Sequence, residues 1–141
     1  MITVKPDSVE RVRIESLDYK GKSAQVKDVA VQWLSKSGTD AQGSPAYGLR
    51  LFTTGPGGVI PTHSHLYMQT MYILSGRFEC WQADPDTDEI TERSVVGPGQ
   101  AVFVPSMEPH GMRNMSAVEP ATFLCCIGSV DEEGNVTGIC A

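Results

Sequence analysis

An all-β sandwich or barrel is the fold class that this sequence predicts, and two observations predict it. Short apolar-rich stretches recur between clusters of Gly, Pro, Asp and Ser, and few windows keep helical periodicity for ten residues. That is the pattern of many short strands joined by tight turns. With 141 residues the chain has room for one domain with a core of its own and is too short for two of ordinary size.

The expected strands follow from where the breakers fall. Val9–Leu17 and Lys27–Ser35 come first, and the breaker cluster Gly38 to Pro45 closes them off. Tyr47–Thr54 is parted from Val59–His65 by Gly55-Pro56-Gly57-Gly58, and Gln69–Ser75 from Arg77–Ala83 by Ser75-Gly76. Asp84-Pro85-Asp86 precedes Ile90–Val96, Gly97-Pro98-Gly99 precedes Ala101–Val104, and Pro105 to Pro109 precedes His110–Asn114; Thr122–Ser129 is last.

Residues 1–45 carry fewer large apolar residues and a Gly- and Ser-rich stretch, Ser35 to Ser44, so they are expected to form an N-terminal arm of one or two strands. Such an arm would cover a sheet edge of its own barrel, at residues 46–130, or of a second subunit. Residues 131–141 are left as a C-terminal tail. The acidic stretch Asp84 to Glu89 reads as a solvated hairpin tip; it lacks the central glycine and closing glutamate spacing of a calcium loop.

Charge and hydropathy narrow the function classes. Lys plus Arg number 11 against 17 Asp plus Glu, a net charge of -6, so nucleic acid is not an expected partner. No apolar run is long enough for a bilayer, and Met1 to Pro6 lacks the charged-then-apolar pattern of a secretory signal, so no membrane is expected and a cytoplasmic location is the default. Cys80, Cys125, Cys126 and Cys140 form no CxxC pair. They are expected to be reduced, mostly buried thiols, with a redox pair or a thiolate lining a pocket as the alternatives.

The chain has three histidines. His63 and His65, one residue apart on an expected strand, leave the same face of the sheet and can converge on one point. Gln69 follows four residues later, after Leu66-Tyr67-Met68, and His110 stands just past Pro105-Ser106-Met107-Glu108-Pro109. Imidazole suits Zn, Fe, Ni and Cu, so this is a candidate site for one divalent transition metal.

These residues resemble the two sequence motifs of the cupin superfamily. The first motif is matched by Gly57, His63, His65, Gln69 and Gly76, and the second by Gly99, Pro105, His110 and Asn114, with Met107 in place of the middle glycine. The resemblance implies a jelly-roll barrel, commonly a homodimer, with one metal ion (Fe, Mn, Ni, Cu or Zn) held by His63, His65, Gln69 and His110. Gly57, Gly76 and Gly99 stand where the backbone must turn tightly, often at positive φ. Asn114 is expected to be structural or to support a ligand from behind. Many metal cupins carry a glutamate where this chain has Gln69. The amide removes a negative charge, strengthening the pull of the ion on an anionic or chelating substrate and leaving coordination positions free.

Strand parity adds candidates around the site. Met71, from Gln69, and Met112, from His110, are expected to line an apolar pocket or to fill the core. Phe52, Phe78, Phe103, Phe123, Trp33 and Trp81 are read as core or dimer-interface residues. Tyr67 lies in the turn between ligand segments and can reach the mouth. Arg50 is a carboxylate anchor if it points inward and a solvated strand residue if outward, and the outward reading is preferred. Glu108, the one carboxylate inside the second motif, is the candidate general base.

The expected function is a metal-dependent enzyme acting on a small oxygen-rich or carboxylate-bearing molecule. Cupins with three histidines and no ligating glutamate resemble the cysteine dioxygenase and diketone-cleaving dioxygenase groups, which makes a dioxygenase the leading expectation. A lyase, isomerase or cyclase using the ion as a Lewis acid, and a non-catalytic small-molecule-binding cupin, are the alternatives.

Overall fold

The computed structural model describes residues 1, 3–35, 47–130 and 136–137. The Gly/Ser-rich stretch after Ser35, most of the expected tail and Cys140 lie outside the described residues. A single 3-10 turn at Pro6–Ser8 precedes β1 (Val12–Tyr19), β2 (Lys22–Ser35), β3 (Tyr47–His63), β4 (Gln69–Ser75), β5 (Phe78–Ala83), β6 (Ile90–Val96), β7 (Ala101–Val104), β8 (His110–Asn114), β9 (Ala121–Val130) and β10 (Val136–Thr137). The strands pair in the order β6-β5-β8-β3-β9-β4-β7, all antiparallel, with β2 joined to β1 and β3, and β10 to β9. The result is a nearly closed jelly-roll barrel, the all-β class expected.

The two strands expected around Gly55-Pro56-Gly57-Gly58 are one strand, β3. The breakers bend it instead of ending it. Gly57 has φ 64, and opposite it β2 carries Asp28 at φ 50 and a register shift between Lys27 and Val29. A Cβ on Gly58 would come within 2.6 Å of Thr54 and 2.9 Å of the Lys27 and Asp28 carbonyls, so the bend needs glycine there. One half of β3 then pairs with β9 while the other pairs with β8.

Alternation along the strands sets the interior. Phe52 stacks on Phe123 with ring centroids 4.8 Å apart, and Phe78 meets Phe123 edge-on at 5.4 Å. Ile73, Phe78 and Phe123 are essentially inaccessible. Burying each such side chain is worth about 1.5–3 kcal/mol, which makes this the energetic centre of the barrel. Phe103 departs from the core reading, because it points out of β7 with 59% of its surface exposed.

The expected arm is a wall of this barrel. β1 pairs with β2 and β2 with β3, and Ile14, Leu17 and Val26 turn inward onto the core. Its hairpin turn is fastened to the acidic tip between β5 and β6, where Lys20 Nζ lies 2.7 Å from Asp88 and Tyr19 donates its hydroxyl to Asp88 at 2.8 Å. Gly76 and Gly99 take φ 77 and 84, and Met107, in the place of the motif's glycine, is itself at φ 63. Its N–H donates to the His65 carbonyl at 2.8 Å, which ties the loop before β8 to the loop after β3.

Candidate metal centre

β3 ends at His63 and β8 begins at His110, and the two residues are cross-strand partners. The ladder itself therefore sets their rings side by side, with centroids 4.4 Å apart. His65 lies beyond the end of β3, in the loop, and not on the strand as expected. Its ring still turns back to the other two, 5.4 Å from His63 and 5.0 Å from His110.

Each ring is locked by the backbone. Nδ1 of His63 donates to the Pro61 carbonyl (2.9 Å), that of His65 to Tyr67 (2.7 Å) and that of His110 to Glu108 (2.7 Å). A neutral imidazole that donates from Nδ1 carries its lone pair on Nε2. One ligand atom from each of the three rings lies within 4.8 Å of the others. His65 Nε2 is buried and has no hydrogen-bond partner, a costly arrangement unless something accepts that lone pair. Burial holds the His63 ring below its ordinary value and pushes His65 down to about 4 and His110 to about 3. Neutral rings, converging donors and an orphaned lone pair fit a divalent transition ion.

Gln69 opens β4 and is 7% exposed. Its Nε2, not its oxygen, faces His110 Nε2 at 3.1 Å. The amide oxygen points instead to Arg50 Nη2 at 3.5 Å and Cys125 Sγ at 3.4 Å. A flipped amide would set its NH₂ against the guanidinium, two donors facing each other.

Arg50 corrects the outward reading. The register that pairs it with Cys125 gives it the inward parity of Phe52 and Thr54, and it is 9% exposed. Nη2 lies 3.0 Å from Cys125 Sγ, and the guanidinium carbon sits 5.0–5.6 Å from the ring centres of Phe52, Trp33 and Tyr67. Tyr67 also stacks on His65, with centroids 3.8 Å apart. Burial pushes the Cys125 thiol up, with Arg50 pulling partly the other way.

These residues enclose a cavity of about 60 Å³, lined by His63, Gln69, His110, Arg50, Tyr67 and Cys125 on the polar side. Met71 and Met112 line it as well, together with Ile14, Leu17 and Val26 from the N-terminal hairpin. Cys125 takes the pocket-lining place that the sequence offers as an alternative for its thiols, whereas the hairpin's part in the wall has no sequence signal, because a sparse amphipathic arm gives no sign of which cavity it faces. Of the three described cysteines, Cys80 and Cys125 are buried, in line with a mostly buried set, and Cys126 is exposed.

Glu108 gives its carbonyl to His110 and lines an adjoining cleft with Trp81, Gln82 and Glu92, which shares Met71, His110 and Gly111 with the first cavity. Asn114 is 2% exposed, and its amide donates to the carbonyls of Thr54, Gly55 and Glu119 while accepting from the Ser116 N–H. It clamps the opposite end of the barrel, four residues or about 13 Å along the strand from His110, and supports no histidine.

Residues 50–127, more than half of the chain, match the family model described as a cupin domain. The chain belongs to the cupin family. No curated protein matches this cupin. Among solved structures it is similar to the polyketide cyclase RemF from Streptomyces resistomycificus, at 24% identity and TM-score 0.69 over 91% of this chain and 79% of that one. It is similar to a cupin-2 domain protein from Rhodospirillum rubrum, at 27% identity and TM-score 0.65 over 93% and 76%. An oxalate oxidase is similar at 17% identity and TM-score 0.61, over 73% of this chain and 52% of that one. No helix among the described residues is long and apolar enough to cross a membrane.

Proposed function

We propose that this cupin is a metal-dependent enzyme in which the Nε2 atoms of His63, His65 and His110 hold one divalent transition ion, and that it acts as a dioxygenase on a small oxygen-bearing substrate. The observation that carries the reading is the set of three Nδ1-locked rings with the unpartnered Nε2 of His65 among them. When bound, such an ion supplies Lewis acidity and, if redox-active, a route for electrons to dioxygen.

The chain's own residues exclude water, orient the substrate and hold the rings neutral. Met71, Met112 and the N-terminal hairpin close the cavity on its apolar side, while Tyr67 and the Pro61, Tyr67 and Glu108 carbonyls fix ring orientation. Among the described residues the cavity wall contains no Asp, Glu or Lys, so no side chain there is suited to move protons as a carboxylate or amine base. Two carboxylates, Glu92 and Glu108, lie in the adjoining cleft that shares His110 and Met71, and they are the candidates for a proton-moving role in a cyclase, lyase or isomerase.

A cyclase, lyase or isomerase is the second reading, favoured by the likeness to a polyketide cyclase over 91% of the chain. Oxygen uptake by iron- or manganese-loaded protein, measured with 2-oxo acids and β-diketones, separates the two. Uptake that tracks substrate loss supports the dioxygenase; the same loss under anaerobic conditions supports the second reading; and no loss of any substrate leaves a binding module.

The protein is further proposed to act as a homodimer in the cytoplasm on small molecules, not on nucleic acid. The exposed Tyr72, Leu74 and Phe103, the free thiols of Cys80, Cys125 and Cys126, and the net charge of -6 support these three points in turn.

A further inference from the structure

Among the described residues the cavity holds a buried positive charge with no acid to balance it. Arg50 is always protonated, is 9% exposed, and has no carboxylate within salt-bridge distance among the described residues. Its neighbours are a neutral thiol, a neutral amide and three aromatic rings. Its Nε–H is buried with no partner. A guanidinium in that position is costly unless an anion completes it.

We propose that Arg50 and Gln69 form an anion-recognising arm, and that the substrate is a small monoanion with a short apolar body. The anionic oxygen is received by the guanidinium of Arg50, which lines the cavity. Gln69 supplies a second donor, because Arg50 and Cys125 hold its oxygen and so turn its NH₂ toward the histidine centre. Once His110 Nε2 is engaged by an ion, that amide N–H is released to donate to an oxygen of the bound molecule. The apolar body is received by Ile14, Leu17, Val26 and Met112, and a cavity of about 60 Å³ suits a short one. Gln69 is thus a positioning donor and not a ligand through oxygen.

The inference rests on the metal-enzyme reading only for the role of His110, and metal-free protein tests the rest of it. Butyrate, its neutral isostere butyramide, and acetate are titrated by calorimetry or NMR into metal-free and zinc-loaded protein, with zinc per chain measured in each sample. Parent protein is expected to bind butyrate about tenfold more tightly than butyramide, and about tenfold more tightly than acetate. Arg50→Met removes the preference for the anion, and Arg50→Lys, which keeps the charge without the fork, restores only part of it. Gln69→Glu gives Arg50 an internal counter-ion and abolishes the preference without enlarging the cavity, which guards against a folding defect in the arginine variants. Equal affinity for butyrate and butyramide, no detectable butyrate binding, or a preference that survives both Arg50→Met and Gln69→Glu overturns the proposal. A protein that takes up no zinc yet keeps the preference defeats the metal-enzyme reading and upholds this one.

Discussion

Gln69 Nε2 stands 3.1 Å from His110 Nε2, so the amide meets the histidine centre through its nitrogen. Three imidazoles then suffice for the ion, and Gln69→Ala is expected to change zinc affinity by less than about tenfold, below the usual effect of losing a residue that orients a ligand. His65→Ala should weaken it by far more than a hundredfold. Competition titration against a chromophoric chelator distinguishes the two variants, and a Gln69→Ala loss as large as that of His65→Ala would make the amide a ligand.

Asn114 carries a stability prediction with no metal component. Asn114→Leu leaves three carbonyls and the Ser116 N–H without their partner and should cost about 2–3 kcal/mol. Urea unfolding should show a lower midpoint at unchanged slope, with zinc per chain unaltered. Loss of zinc in a variant that still folds would place Asn114 in the metal site after all.

The buried rings make the metal-free protein acid-sensitive. All three histidines are held below 6.5 by burial, His65 at about 4 and His110 at about 3. Unfolded chain therefore binds more protons than folded chain once pH falls below about 6.5, and stability rises with pH across that window. The contribution is complete above the unfolded value and is lost as pH falls toward the folded ones. Melting temperatures of metal-free protein from pH 7.5 to 4.5 should fall steadily, and more gently in His110→Gln. Identical slopes in parent and variant would contradict the assignment.

Much of this was legible in the sequence because it is periodic or punctuated. His63 and His110 lie where a cross-strand ladder brings them together, and Gly57, Gly76 and Gly99 occupy positive φ as tight turns require. Alternation along Tyr47–Thr54 could not orient Arg50, since either parity buries two sizeable side chains; the register against Cys125 on β9, a long-range fact, decides it. The break expected at Gly55 to Gly58 is a bend because β2 supplies a matching bulge, which local composition does not reveal. His65 reaches the centre from a loop held by the Met107 N–H, and no periodicity describes that contact.

The outer face of β4 and β7 exposes Tyr72, Leu74 and Phe103. If a second copy covers it, Phe103→Glu together with Tyr72→Glu should convert the dimer to monomer in sedimentation or light scattering, since two buried charges per copy are costly in an apolar interface. A dimer of undiminished affinity would move the interface elsewhere.

The central claim is that His63, His65 and His110 hold one transition-metal ion. Elemental analysis of tag-free protein, beside a His63→Ala/His110→Ala variant, tests it most directly. Near one equivalent per chain in the parent and none in the variant is the predicted result. No metal in the parent, and no uptake from added Fe, Mn, Ni, Cu or Zn, would contradict it.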